Sequence, residues 1–481
     1  MADYRMTIDG ELVDREEALD VVNPASGEVF ARVPACSREQ LDSAFHAAER
    51  AFPGWREDDD RRRAVLRACA DAVEANAEEL AKLQVMEQGM TLGFSRGVVK
   101  GCIGNFRKYA EIEIPVTVVQ DDEVARIEVV RRPLGVIAAI RPWNFPLNQA
   151  GAAIAPSLRA GNTVVLKPSP YTPLGTLRLG ELLREVIPAG VCNIVSGPDP
   201  LGQWMTEHPV PRGIVFTGSV ATGRKVNLAA AQDFKRVLLE LGGNDPAVVL
   251  DDVDPEELAA RLFWTVFRNT GQVCRAVKRV YVPAALHDRV AAALARQAGE
   301  VVVGNGLDDE VTMGPVNNRM QFDRVQELVA DAASHGGRAL VGGEPADGHG
   351  YFYPPTVIVG AADGTRLVDE EQFGPVVPLI PYEDLDDAIR RANDTTYGLG
   401  ASVWSGNLDR AKAVADRLEA GSVWINTHGT GTERAPNTGT KWSGVGSKGG
   451  IWNVYAVTDP CTIMTSRQGP TTYAPARAVA G

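Results

Sequence analysis

An α/β fold built on two parallel sheets is predicted by three observations. Short apolar runs of strand length alternate with helical segments from Gly135 onward. A second series of the same kind begins near Gly242. The chain, at 481 residues, is too long for one core. In the first series Val136 to Ile140, Thr163 to Leu166, Val191 to Val195 and Ile214 to Phe216 read as buried strands, with helices over Leu174 to Val186 and Thr222 to Ala231. The second runs from Ala247 through Val280 to Val282, Leu340 to Gly342 and Val376 to Leu379, ending at Ser422 to Ile425.

Ahead of both series, Asp42 to Phe52 and Arg61 to Val85 carry Ala, Leu, Glu and Arg at helical spacing. Asp58-Asp59-Asp60-Arg61-Arg62-Arg63 reads as acids at a helix start followed by solvated bases. Val116 to Val130 alternates around Gln120-Asp121-Asp122-Glu123, two strands joined by a polar turn. The tail from Arg467 to Gly481, rich in Pro, Thr and Ala, reads as an extended or partly disordered arm.

Composition narrows the function classes. The 44% hydrophobic and 23% charged fractions are those of an ordinary globular chain. A net charge of -13 argues against nucleic acid and anionic membranes as partners. The six cysteines show no CxxC pair and no zinc-ligand spacing, so neither a metal nor a disulfide scaffold is expected. With no apolar N-terminal core and no run of about 20 apolar residues, a cytoplasmic location is expected.

Four short segments carry chemistry. Cys274, in Asn269-Thr270-Gly271-Gln272-Val273-Cys274, is a thiol close to a glycine and a candidate nucleophile. Glu240, in Leu239-Glu240-Leu241-Gly242-Gly243, is a carboxylate beside glycines and apolar residues, a setting that suits a general base. Asn144, in Pro142-Trp143-Asn144-Phe145-Pro146, offers a neutral N–H donor to a developing oxyanion. Thr217-Gly218-Ser219, after a strand and before Thr222-Gly223, forms a turn where backbone amides can approach a pyrophosphate. A formal GxGxxG match, Gly444 to Gly449, follows no predicted strand and opens no βαβ unit, so it is read as a decoy.

Taken in order from about Val21 to Thr458, these segments resemble the aldehyde dehydrogenase superfamily, NAD(P)-dependent enzymes that oxidise aldehydes to acids. The resemblance implies that family's fold. It has a Rossmann-like cofactor-binding domain (1–115 and 134–241) and an α/β catalytic domain (242–458). A small β oligomerisation element (116–133 and 459–481) would join subunits into a homodimer or homotetramer. It implies a thiohemiacetal and then a thioester on Cys274, with Asn144 and the Cys274 backbone N–H as oxyanion donors and Glu240 activating water. Trp143, Lys167, Ser169, Gly218, Ser219, Leu241, Gln321, Glu371 and Phe373 would hold the cofactor. Lys167 would contact the adenosine ribose, and Glu371 the nicotinamide ribose. Many NAD-specific relatives carry a glutamate where this chain has Pro170, so NAD is the first choice and NADP stays open.

Two other readings are weighed. Glu240 argues against a coenzyme-A-acylating relative, and the joint presence of Asn144, Glu240, Cys274 and Glu371 argues against a catalytically silent scaffold. The chain also departs from the family pattern. Pro436-Asn437-Thr438-Gly439 replaces a phenylalanine-bearing segment, Thr427 to Thr432 is small and polar, and Asn148 and Gln149 follow the amide donor. Arg268 and Arg275 flank the nucleophile. A polar or functionalised aldehyde, such as a semialdehyde whose carboxylate the arginines read, is expected. The alternative is that both arginines point outward or pair with acids.

Overall fold

The computed structural model describes residues 4–15, 17–431 and 434–468. Two sheets dominate. The first runs in the order Glu11–Val13, Met6–Ile8, Cys192–Ile194, Thr163–Lys167, Val136–Ile140, Gly213–Thr217, Arg236–Glu240, Gly444–Val445. Its five central strands are parallel. By position in the chain they stand third, second, first, fourth, fifth. Connections therefore reverse direction between Val136–Ile140 and Gly213–Thr217, leaving a crevice at the strands' carboxyl ends.

The second sheet runs in the order Arg338–Val341, Thr356–Val359, Val376–Tyr382, Val277–Pro283, Asp245–Val249, Gly400–Trp404, Ser422–Ile425. All its pairings are parallel except that of Arg338–Val341 with Thr356–Val359. Strand alternation sends Val280 and Val282 into one apolar cluster and Tyr281 into another on the opposite face. Both faces are thus covered, as the apolar strands require.

Most expected elements appear, with corrections. Arg61 to Val85 is two helices, Asp59–Ala75 and Ala77–Gln88, divided at Asn76, whose side chain turns back to the Ala72 carbonyl at 2.8 Å. Asp58 does cap the first helix, accepting from Arg61 N at 2.9 Å. Arg62, however, is buried rather than solvated, reaching Asp59 at 2.7 Å and the Arg56 carbonyl at 2.6 Å. The helix expected over Asp42 to Phe52 extends to Arg38–Glu57, opened by a capping box between Ser37 and Gln40.

The 116–130 region is a hairpin, Thr117–Asp121 with Ala125–Pro133, and Thr458–Ser466 adds a third strand along nine paired residues. After Asn437 the chain returns to the first sheet. Gly444–Val445 joins its edge, and Val454 and Val457 enter its apolar core. The tail expectation falls mainly on 469–481, outside the described residues. No helix among the described residues is long and apolar enough to cross a membrane.

Candidate active site

The nucleophile loop is the most constrained part of the crevice. Helix Pro255–Phe267 leads into Arg268–Gly271, where Asn269, Thr270 and Gly271 have φ of 51°, 60° and 70°. Asparagine and glycine tolerate that region. A β-branched threonine rarely does, and such strain is of order 1–3 kcal/mol per residue. The surroundings hold it in place. Asn269 Nδ2 donates to the Asn144 carbonyl at 3.0 Å, and Thr270 Oγ1 to the Gly314 carbonyl at 2.9 Å. The Asn317 backbone N–H donates to Gln272 Oε1 at 2.8 Å. A Cβ on Gly271 would collide with the Gly374 carbonyl. Cys274 emerges from this loop partly exposed, whereas Cys36, Cys69, Cys102 and Cys192 are buried. Cys461, also not buried, sits apart on the Thr458–Ser466 strand.

The other two catalytic candidates lie at the carboxyl ends of two strands of the first sheet, on either side of Gly213–Thr217. Asn144 follows Val136–Ile140, just before Pro146 opens the next helix. Its Nδ2 donates to the Gln272 carbonyl at 3.0 Å, and an amide nitrogen keeps a second hydrogen for another acceptor. Glu240 is the last residue of Arg236–Glu240, and the Gly218 N–H donates to its carbonyl at 3.1 Å. Beyond it the chain passes directly under the nucleophile loop. A Cβ on Gly243 would lie 2.7 Å from the Cys274 carbonyl, so glycine alone permits that approach.

Lys278 fastens these parts together and was not singled out from the sequence. Its buried ammonium donates to Val273 O at 2.9 Å, Cys274 O at 3.1 Å and Gly243 O at 3.3 Å, and pairs with Glu371 at 3.6 Å. A Lys278-Arg279 pair set between the apolar residues Ala276-Val277 and Val280-Tyr281-Val282 was the available signal. Arg141, at the crevice floor, was missed as well. Burial pulls its guanidinium down to about 10, against the charge of Glu240, and its Nη2 donates to Gln149 Oε1.

The expected cofactor residues divide between the strand ends of the first sheet and the loop before Val376–Tyr382 in the second unit. Ser219 caps helix Val220–Gln232, its hydroxyl accepting from Thr222 N at 3.2 Å, so the helix start at Gly218-Ser219 faces outward. Lys167 ends Thr163–Lys167 buried, donating to the Pro168 carbonyl at 3.2 Å. Burial draws its ammonium down to about 8, with Asp199 opposing. Ser169 accepts from Tyr171 N at 3.3 Å, and the Leu241 side chain packs on Gly223. Trp143 meets Phe373 edge-on at 5.3 Å, and Phe373 itself has φ of 47°. Glu371 accepts from Gly243 N at 3.1 Å. Burial raises its carboxyl, with Lys278 working against that. Gln321 donates to the Gln372 carbonyl at 2.8 Å and so braces the Glu371 loop. An outward helix start and a buried cation at strand ends of the first sheet, with a carboxylate from the second unit, fit a dinucleotide.

The two arginines separate. Arg275 Nη1 donates to Asn437 Oδ1, and its guanidinium lies 5.9 Å from the Trp424 ring centre. Arg268 instead borders a cavity of about 480 Å³ with Phe94, Trp264, Asn269, His428 and Thr430. Its Nε is buried with no hydrogen-bond partner among the described residues, and burial draws its guanidinium down, with Cys274 opposing. Phe94 and Trp264 supply aromatic rings at this wall, which no residue of 436–439 lines. Asn148 accepts from Asn105 at 3.0 Å, so neither it nor Gln149 stands free. Thr432 lies outside the described residues.

A crevice at the switch point of a parallel sheet, faced by a cysteine loop on a second α/β unit, defines a nucleotide-dependent enzyme with a thiol at its centre. Residues 12–463 match the aldehyde dehydrogenase family. Succinate-semialdehyde dehydrogenase [NADP(+)] of Escherichia coli is 37% identical, the match covering 93% of this chain and 94% of that one. Phenylacetaldehyde dehydrogenase of Pseudomonas fluorescens is 36% identical, covering 93% of each. Among solved structures, an NAD+ complex of the Bacillus cereus aldehyde dehydrogenase superposes with a TM-score of 0.94 at 34% identity, covering 97% of both chains. The chain belongs to the aldehyde dehydrogenase family, oxidoreductases that act on aldehydes with NAD(P).

Proposed function

We propose that the chain oxidises a polar, carboxylate-bearing aldehyde to the acid, with NAD as first choice of cofactor and NADP as the alternative. In this reading the Cys274 sulfur adds to the aldehyde carbon. The oxyanion receives hydrogen bonds from the free Asn144 hydrogen and the Cys274 backbone N–H. When bound, the nicotinamide accepts the hydride that leaves this carbon. Glu240 then takes a proton from water, the hydroxide oxygen bonds to the thioester carbon, the C–S bond breaks and the sulfur leaves as thiolate. Trp143, Lys167, Ser169, Gly218, Ser219, Leu241, Gln321, Glu371 and Phe373 hold the cofactor.

One observation carries the substrate preference. Arg268 brings a buried, unpartnered Nε to the wall of a cavity beside the nucleophile loop. A substrate carboxylate would satisfy that donor, and a charge-assisted hydrogen bond is worth roughly 1.5–3 kcal/mol. The test compares kcat/KM for a four-carbon dicarboxylic semialdehyde and for butanal. R268A is expected to lower the first about 10- to 100-fold and to leave the second nearly unchanged. Equal losses on both would remove the carboxylate reading.

The same proposal includes the division into 1–115 with 134–241, 242–458, and 116–133 with 459–481. The three-stranded sheet leaves Val118, Val119 and Met464 exposed, an apolar surface that supports pairing of subunits into a homodimer or homotetramer. A cytoplasmic location belongs to this reading too, supported by six unpaired cysteines.

A further inference from the structure

The glycine-rich stretch Gly444 to Gly449 has no place in cofactor binding, yet it ends beside the carboxylate. Gly444–Val445 pairs antiparallel with Arg236–Glu240, and Gly444 stands opposite Glu240. A Cβ on Gly444 would collide with the Leu239 carbonyl, so this edge strand can close up only as glycine. Gly446 and Gly449, with φ of 87° and 99°, then turn the chain so that Ser447–Lys448 runs back along Asn437–Thr438. That path brings Lys448 Nζ into an ion pair with Glu240 Oε2. The carboxylate is almost wholly enclosed, with its side chain 6% exposed, while the lysine is 24% exposed and so remains open to solvent. Glu240 Oε1 is buried with no hydrogen-bond partner among the described residues. Arg141, just past the end of Val136–Ile140, is also near enough for the Glu240 charge to oppose the burial that pulls its guanidinium down, although its Nη2 is directed to Gln149.

We propose that Lys448 is a positioning residue for the general base. It orients Glu240 through one oxygen, leaving the other to take the proton of the attacking water. The inference rests on reading Glu240 as the base for thioester hydrolysis. The lysine's open side gives the proton taken from water a route to solvent. The glycines therefore serve a lysine rather than a phosphate. The ladder opposite Lys448 also contains Asn437, which accepts from Arg275, so one small sheet fastens both the base and a residue adjoining the nucleophile.

The experiment measures two rates separately in the full-length enzyme. One is formation of reduced nicotinamide in a single turnover. The other is decay of the acyl adduct on Cys274, followed by acid quench and peptide mass. K448M is expected to keep the first rate and slow the second about 10-fold. K448R should restore the rate of adduct decay. In an E240Q background K448M should change nothing further. Three results would overturn the proposal: adduct decay at the wild-type rate in K448M, equal loss in K448M and K448R, or an undiminished effect of K448M on top of E240Q. Adduct decay at the wild-type rate in E240Q alone would instead remove the base reading, and the role of Lys448 with it.

Discussion

The nucleophile loop and the cofactor crest face each other across the crevice, but they are built on opposite plans. The crest is relaxed. A strand, a short turn and a serine-capped helix place backbone amides outward with ordinary dihedral angles at Gly218 and Ser219. The loop carries three successive residues of positive φ and is gripped by Asn144, Gly314, Asn317, Gly374 and Lys278. Binding a dinucleotide needs donors at a helix start. Adding a thiolate to a carbonyl needs one sulfur held to a fraction of an ångström. Strain is stored on the side where geometry matters most.

The largest contrast should come from matched glycine substitutions. G271A places a methyl in a left-handed residue, costing roughly 1–2 kcal/mol, and drives it into the Gly374 carbonyl. Displacing the loop by about an ångström should lower kcat about 100-fold. G218A meets only its own neighbour's Phe216 ring, a side chain that can turn, and should raise the KM for cofactor severalfold with kcat kept. Similar kcat losses in both variants would erase the distinction between the two plans.

A smaller effect sharpens the cofactor side. Burial sets the Lys167 ammonium near 8, so it is charged below that pH and neutral above it. If it donates to the cofactor ribose, the KM for NAD should be flat below neutrality and should rise as pH climbs through about 8. In K167M the dependence should vanish. A KM in the wild type that is the same at pH 7 and pH 9 would place Lys167 outside the binding contact.

The contrast between the two plans also explains what could be read from residue order. The crest announces itself through Ile214-Val215-Phe216 followed by Thr-Gly-Ser, because hydrophobic period and turn chemistry are local properties. The strain at Thr270 is not local. Its side chain gives no sign of positive φ, which is imposed by partners from 44 to 125 residues away. Two central strands of the second sheet escaped for related reasons. Thr356–Val359 follows Pro354-Pro355, and Gly400–Trp404 opens on glycine, alanine and serine, so neither shows a long apolar run. Lys278, Arg141 and Lys448 look like interruptions in sequence. Their roles exist only once distant carbonyls and carboxylates surround them.

The central claim is a covalent bond to one sulfur. Mixing the enzyme with aldehyde and cofactor, quenching in acid within a turnover and weighing the peptide that bears Cys274 tests it most directly. The account predicts an acyl mass on Cys274 in the wild type, more of it in E240Q, and neither adduct nor reduced nicotinamide in C274A. Turnover surviving in C274A, or the acyl mass appearing on another residue, would contradict it.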